Sequence, residues 1–460
     1  MRNPYYVGGW VRGRNHYGRH FLIESLLAAR DAATWVVGTR RLGKTSLLRQ
    51  MEYVANARRA AADAANAAGL NGDGAHPANG EDTLFVPIYL DLQGCESPAD
   101  LAYELELALD DRRRELTELG IELDDLPNDN AVAVLRSLAR AVRARGARLL
   151  LLLDEAEALL TVAAQDARWL GTLRKALLEG HIRTVMTSTR LLSRLNHLHA
   201  GWDTSPFLFG FQMVNLWALG GEAGTALIRQ TQAEPVEVDG RVLAQIFTYC
   251  NGHPYLIQYL CERLFVDGND GRGALRAITD ADLEVDHLLA GFFFIEFRNM
   301  TRVERRVLLT LSTLTLASEP ELLSALYDIP PARVRMFLYA LSRLGYVRSV
   351  KSQWAIGNEF LRRWLLECED ELCSSLDSSL DDEEEEQHLR DGARDEVARL
   401  RQKIGEVETE LAALQKAWKK AVGNERTQLA DRIVALREEL ARLQSALTRA
   451  IEASTRIDDP

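Results

Sequence analysis

A parallel α/β sheet flanked by helices, continuing into a helical region, is the fold class that these 460 residues predict, and three features predict it. Short apolar runs alternate with helical patterns through the first 220 residues, a glycine-bounded turn follows the first run, and an acid pair closes the third. The runs are Ala33 to Val37, Leu84 to Leu92, Leu149 to Leu153 and Thr184 to Ser188, each of a length suited to a buried strand. Between them helical stretches begin near Lys44, Ala99 and Ala131, the last carrying Leu135, Leu138 and Val142 to a stop at Gly146. Residues 57–82 are rich in Ala, Gly, Asn and Asp; they read as an insertion that begins as a helix extension and ends as a surface loop around Leu70 to Gly80.

From Glu222 to about Phe292 the pattern is helical, broken at Gly252-His253-Pro254. Helices over Thr301 to Leu314, Glu319 to Leu326 and Pro331 to Leu344 come next, followed by a ribbon of Gly345 to Ser349, a turn at Lys351-Ser352-Gln353, and Trp354 to Ile356. Three helices and a two-stranded ribbon describe a winged helix. Residues 367–386 carry many acids and no base, and self-repulsion predicts an extended linker. Beyond it, Val397, Leu400, Ile404, Val407, Leu411, Leu414 and Trp418 recur at four- and three-residue spacing, and Leu429, Ile433, Leu436, Leu440, Leu443 and Leu447 nearly repeat it. The two runs predict either a coiled-coil hairpin or two segments of an intermolecular coil. The domains expected are 1–220 for the sheet, 221–295 for a helical lid, 296–366 for the winged helix, 367–386 for the linker and 387–456 for the hairpin.

A formal net charge of -12 opposes broad binding to nucleic acid or anionic membranes, which requires surplus Lys and Arg. Cys95, Cys250, Cys261, Cys368 and Cys373 are odd in number and lack the paired spacing of zinc ligands, which suits a reducing compartment. The apolar run from Leu288 to Ile295 is too short to span a bilayer, and the first residues lack the apolar core of a signal peptide. The expected location is the cytoplasm.

Gly38-Thr39-Arg40-Arg41-Leu42-Gly43-Lys44-Thr45 matches the phosphate-loop (P-loop) pattern of nucleoside triphosphatases, directly after one strand and before a helix. Gly38 and Gly43 let successive backbone N–H groups face an anion at a helix N-terminus, Lys44 reaches the β- and γ-phosphates, and Thr45 places a hydroxyl on Mg²⁺ with Ser46 continuing the helix. Taken alone, the eight residues could also be a basic turn opening an amphipathic helix. The third strand, however, delivers Asp154 and Glu155 at its carboxyl end, where open α/β sheets bind ligands. Asp154 suits a metal held through water, and Glu155 suits orienting or deprotonating the attacking water, or else acting only as a switch contact or helix N-terminal acid. Arg190, at the end of the fourth strand, is placed either to sense the γ-phosphate or to pair with a surface carboxylate. ATP or ADP with Mg²⁺ is the expected cofactor set, and Mg-dependent hydrolysis the expected chemistry.

The order GTRRLGKTSLL, LLLLLDEAEAL, VMTSTR and NGHPYLIQYLC, spanning about residues 5 to 366, resembles the signal-transduction ATPases with numerous domains (STAND) and their archaeal-type and origin-recognition AAA+ relatives. The resemblance implies that Arg19, in His16-Tyr17-Gly18-Arg19, lies near the adenine, although His20 stands where the family usually has an acid. It implies that Arg190 is a first sensor, that Pro254 touches the base, and that Ser205-Pro206-Phe207 and Phe211 to Leu219 form the strand and turn leading into the lid. It further implies a switch in signalling or defence, with ADP holding lid and winged helix on the core and ATP releasing them for self-association. The long C-terminal repeats by which such proteins sense a trigger have no counterpart here.

Two other functions compete. In a DNA-binding ATPase of origin-recognition or regulator type, Arg333, Arg335, Arg343, Arg348 and Lys351 would supply groove and phosphate contacts, but Met336, Phe337, Tyr339, Leu341 and Leu344 crowd the same helix and favour protein packing. In a scaffold, the coiled coil would do the work, with a homo-oligomer or protein partner bound along its seam. An arginine finger has several candidates, Arg168, Arg174 and Lys175 among them.

Overall fold

The computed structural model describes residues 2–29, 32–67, 84–127, 130–196, 206–267, 272–376, 382–418 and 424–458, and the chain divides into two compact units, 1–288 with 358–360 and 289–357 with 361–460. Part of the expected insertion, residues 68–83, lies outside the described residues, as do Ser205 and the middle of the expected linker, 377–381.

In the first unit, α1 (His20–Ala28) precedes β1 (Ala33–Val37), α2 (Lys44–Ala67) and β2 (Phe85–Asp91). Then come α3 (Pro98–Asp110), α4 (Arg113–Glu118), α5 (Ala131–Arg143), β3 (Arg148–Asp154), α6 (Ala158–Gln165), α7 (Ala167–Leu177), β4 (Ile182–Ser188) and β5 (Gln212–Asn215). All five strands are parallel, in the order β2-β3-β4-β1-β5. The leucine run of β3 shows why parallel strands read as continuously apolar: Leu149, Leu151 and Leu153 pack into one core while Leu150 and Leu152 pack into the other. Burying such a side chain stabilises the fold by roughly 2 kcal/mol. Asn130 caps α5 by accepting from the Ala133 N–H at 2.9 Å, and Gly146, at φ 76°, ends the turn into β3.

The sheet is followed by α8 (Gly221–Ile228), α9 (Gly240–Cys250) and α10 (Pro254–Leu264). The segment is not wholly helical as expected, because β6 (Phe265–Asp267) and β7 (Gly273–Leu275) form an antiparallel ribbon after α10. Three-residue strands are too short to show a period in sequence. The expected boundary at 295 falls inside α11 (His287–Arg298), a helix that runs unbroken past it, and the compact units part after Leu288.

The second unit holds α12 (Arg302–Leu314), α13 (Glu319–Ala325), α14 (Pro331–Leu344) and the antiparallel ribbon of β8 (Val347–Val350) and β9 (Gln353–Ile356), the arrangement of a winged helix. Lys351 and Ser352 turn the ribbon with φ of 48° and 67°, as two-residue hairpins require. Then come α15 (Glu359–Glu367), α16 (Glu369–Ser374), α17 (Asp382–Trp418) and α18 (Asn424–Asp458). The acidic stretch is thus helical in part rather than extended. Glu369, Asp370 and Glu371 fill the first turn of α16, where negative charge meets the positive end of the helix dipole, and α17 begins at Asp382. The helices α17 and α18 pack on one another, with Val407, Ile433 and Leu436 buried, and both also pack on α14. Among the described residues no helix is long and apolar enough to cross a membrane.

Candidate phosphate-binding site

The turn after β1 is built to expose its backbone. Arg41 and Gly43 have φ of 60° and 91°, and the Gly38 N–H donates to the Ser188 carbonyl of β4 at 3.1 Å. Lys44 opens α2 and is 5% exposed, and its ammonium donates to the carbonyls of Gly38 and Thr39 at 3.1 Å each. Arg19 stands on the other side of the turn, its backbone left-handed at φ 64°. Its Nη2 donates to the Leu42 carbonyl at 2.6 Å and to the Trp217 carbonyl at 3.2 Å, its Nη1 is buried without a hydrogen-bond partner, and burial lowers its pKa to about 10.

Asp154 ends β3, 1% exposed. Its Oδ1 accepts from the Thr187 hydroxyl of β4 and from the Glu155 N–H at 3.1 Å, and its Oδ2 accepts from the Tyr89 hydroxyl of β2 at 3.0 Å. Tyr89 keeps its proton, because burial and the neighbouring Asp154 and Asp91 push its pKa far up against the pull of Arg49. Glu155 has φ 48°, and its pKa is raised by burial and by Glu157, with Lys44 and Arg40 pulling it down. The phosphate turn and the acid pair therefore feel one another's charge. Glu157 reaches under β4, where its Oε1 accepts from the Thr189 N–H at 2.5 Å.

The elements after β5 close on the same turn. Gly252 has φ 71°, and a Cβ there would sit 2.4 Å from the Leu219 carbonyl oxygen, so only glycine fits. Pro254 is the first residue of α10, and His253 caps it, its Nδ1 accepting from the Leu256 N–H at 3.5 Å. Burial, then Arg19, lowers the His253 pKa to about 4. The Tyr255 ring lies 4.8 Å from the Arg41 guanidinium.

Lys44, Asp154, Glu155, Arg19, Gly38 and Gly43 thus gather at the carboxyl ends of β1, β3 and β4, with Pro254 on the helix whose next residue meets Arg41. Thr45 is the second residue of α2 and half-buried, and Arg190 opens the short helical turn after β4. Ser46 is the third residue of α2, and its hydroxyl accepts from the Val11 N–H of the N-terminal segment at 3.1 Å. Of the arginine-finger candidates, Arg174 is committed within the chain, its Nε donating to the carbonyls of Phe207 and Phe209 at 3.1 Å.

Sequence reasoning missed the N-terminal segment as part of the site. The Tyr5 hydroxyl donates to the Ile228 carbonyl, the Tyr6 N–H donates to Gln258 at 3.2 Å, and the Gly13 N–H donates to Gln50 at 2.7 Å, so residues 5–13 strap α8 and α10 to the start of α2. The signal was present in the aromatic and basic residues Tyr5, Trp10 and Arg12.

A buried Lys44 and a half-buried Arg19 whose hydrogen bonds go to backbone carbonyls suit an anionic ligand, since desolvated charge requires a counter-charge. Asp154 keeps one lone pair, on Oδ2, beyond those its three donors occupy, as a carboxylate that holds a hydrated metal must. Residues 29–194 match the model of a family described as an AAA domain. The fold is similar to that of the Walker-type ATPase PABY2304 of Pyrococcus abyssi, with a TM-score of 0.53 and 15% identity over 79% of this chain and 99% of that one. The ORC2 protein of Aeropyrum pernix, solved as ADPNP-ADP complexes, gives 0.45 and 15% over 81% and 97%. No curated protein matches this chain in sequence. The chain therefore has the α/β P-loop fold of a Walker-type ATPase, with a segment similar to the AAA domain spanning its phosphate turn and acid pair.

Proposed function

We propose that this chain binds ATP with Mg²⁺, hydrolyses it slowly, and uses the difference between ATP and ADP to govern self-association or the binding of a protein partner, as a signal-transduction ATPase would. The observation that carries the reading is that Lys44, buried, and Arg19, half-buried with its Nη1 left without a hydrogen-bond partner, both donate to carbonyls of the glycine turn. Lys44 would hold the β- and γ-phosphates, Thr45 and Asp154 the metal, and Glu155 a proton of the attacking water. Bound Mg²⁺ would neutralise charge on the phosphate oxygens. Arg190 would face the γ-phosphate from β4. Coupling to the lid is local: Arg19 ties the Leu42 carbonyl to that of Trp217, and Arg41 lies against Tyr255 of α10.

The DNA-binding alternative has less support. The helix that would enter a groove, α14, is covered by α17 and α18, and its Arg335 is paired with Glu319 at 2.8 Å. Binding of a fluorescent ATP analogue to the parent chain and to Lys44→Ala tests the site, and a loss of affinity of about 100-fold or more is expected from removing a charge-assisted phosphate contact. Light scattering with ADP, with a non-hydrolysable ATP analogue and with neither tests the switch. Undiminished binding by Lys44→Ala, or one particle size in all three conditions, defeats the proposal.

A further inference from the structure

Asp154 is held by a residue that no phosphate-loop pattern contains. Tyr89 lies on β2, in register with Leu152 of β3, while Asp91 is in register with Asp154. Side chains two apart share a face, so the Tyr89 ring leans along the strand and its hydroxyl reaches Asp154 Oδ2 at 3.0 Å. The ring is itself fixed. The Arg49 guanidinium of α2 lies 3.4 Å from its centroid, and the same guanidinium lies 5.0 Å from the ring of Trp10 on the N-terminal segment. Arg49 is anchored in turn by Glu52 at 3.1 Å. Three elements distant in sequence thus converge on one carboxylate oxygen.

Thr187 and the Glu155 N–H both address Oδ1, so Oδ2 is oriented by Tyr89 among the contacts described. A single donor on one oxygen sets the rotation of the carboxylate plane and leaves that oxygen's second lone pair for a metal-bound water. We propose that Tyr89 is a positioning residue for Asp154, aligning it toward hydrated Mg²⁺, with the Trp10–Arg49 stack holding the phenol in place. The inference rests on the reading of Asp154 as the metal carboxylate. Removing such an outer partner of a metal ligand weakens metal affinity by about 10- to 100-fold.

The experiment titrates Mg²⁺ against binding of a fluorescent ADP analogue in the full chain, for the parent, Tyr89→Phe, Arg49→Met, Asp154→Asn and Lys44→Ala. Tyr89→Phe keeps the ring and its stack and removes only the hydroxyl. Its Mg²⁺ midpoint should rise by about tenfold or more, while metal-free ADP affinity and the nucleotide-free melting temperature stay near those of the parent. Arg49→Met, which frees the ring, should move the midpoint the same way by less. A Tyr89→Phe midpoint equal to the parent's, with Lys44→Ala binding abolished, overturns the inference and leaves the nucleotide site intact. An equal loss with and without Mg²⁺ in Tyr89→Phe also overturns it, because that marks a structural role. Full binding by Lys44→Ala overturns both readings together.

Discussion

Two histidines, His16 buried and His253 half-buried, make the first unit sensitive to acid. His16 is 4% exposed, and burial, then Arg19 and His20, lowers its pKa to about 3, while burial, then Arg19, lowers that of His253 to about 4. Both are neutral in the folded chain and titrate near 6.5 when unfolded. Their folded pKa values are depressed, so the unfolded state binds more protons below 6.5. Stability is full above that pH and is lost as pH falls from about 6.5 toward 3. Melting temperature against pH should bend downward in this window, and His253→Asn, which can still cap α10, should bend less. A flat profile from pH 7 to 5 contradicts the burial argument. The same geometry explains why His253 and Pro254 could be found in sequence as a helix start, whereas the contact of Arg19 with two carbonyls could not: its partners are 23 and 198 residues away.

Helix starts were legible because the capping residues are local. Ser97, Thr301 and Ser318 each form a capping box with the acid three residues on, Asp100, Glu304 and Glu321. The boxes differ in burial, since Thr301 and Glu304 are fully buried while Ser318 is half-buried and Glu321 exposed. Thr301→Ala should cost about 2 kcal/mol and Ser318→Ala about 0.5 kcal/mol, because water replaces a lost cap only where it can reach. Urea unfolding of the two variants gives the comparison, and equal losses would contradict it. The four parallel strands that the leucine and valine runs predict are present, within a residue or two at their ends. By contrast, β5 carries only Gln212 to Asn215, half-buried, and is defined by its pairing with β1 rather than by its own pattern. Glu369, Asp370 and Glu371 misled for a related reason. Composition reports self-repulsion, but the dipole of α16 is a neighbour that composition does not contain.

For the chain as a whole, the hairpin matters most through what it covers. Leu436 of α18 is 5% exposed, and α17 and α18 both lie on α14, in which Met336 and Ala340 are buried alongside the residues of its own core. Leu436→Glu places a charge in that seam and should destabilise the hairpin by at least ~2 kcal/mol. Amide hydrogen exchange should then rise in α17, α18 and α14 while ATP affinity stays within about twofold, since the site lies in the other compact unit. Unchanged exchange in α14 would mean that the hairpin does not protect it. The heptad spacing in sequence left two outcomes, a hairpin or an intermolecular coil, because a seam shows that a partner exists and not which chain supplies it. The structure pairs the two runs within one chain, with Arg432 and Glu410 at 3.4 Å across them.

By itself the sequence determined what is encoded over short spans: the phosphate turn from Gly38 to Thr45, the acid pair after the leucine run, the capped helices and the apolar strands. Backbone conformation and strand periodicity are properties of neighbours along the chain, so neighbours reveal them. Only the tertiary structure decided the strand order that sets β3 between β2 and β4, and with it the meeting of Tyr89, Thr187 and Asp154 across 65 and 33 residues. It also decided that the N-terminal segment crosses α2 and that α14 lies under the hairpin. Such contacts follow from which surfaces bury one another once the sheet has closed its two cores, a choice made by the whole set of apolar faces at once.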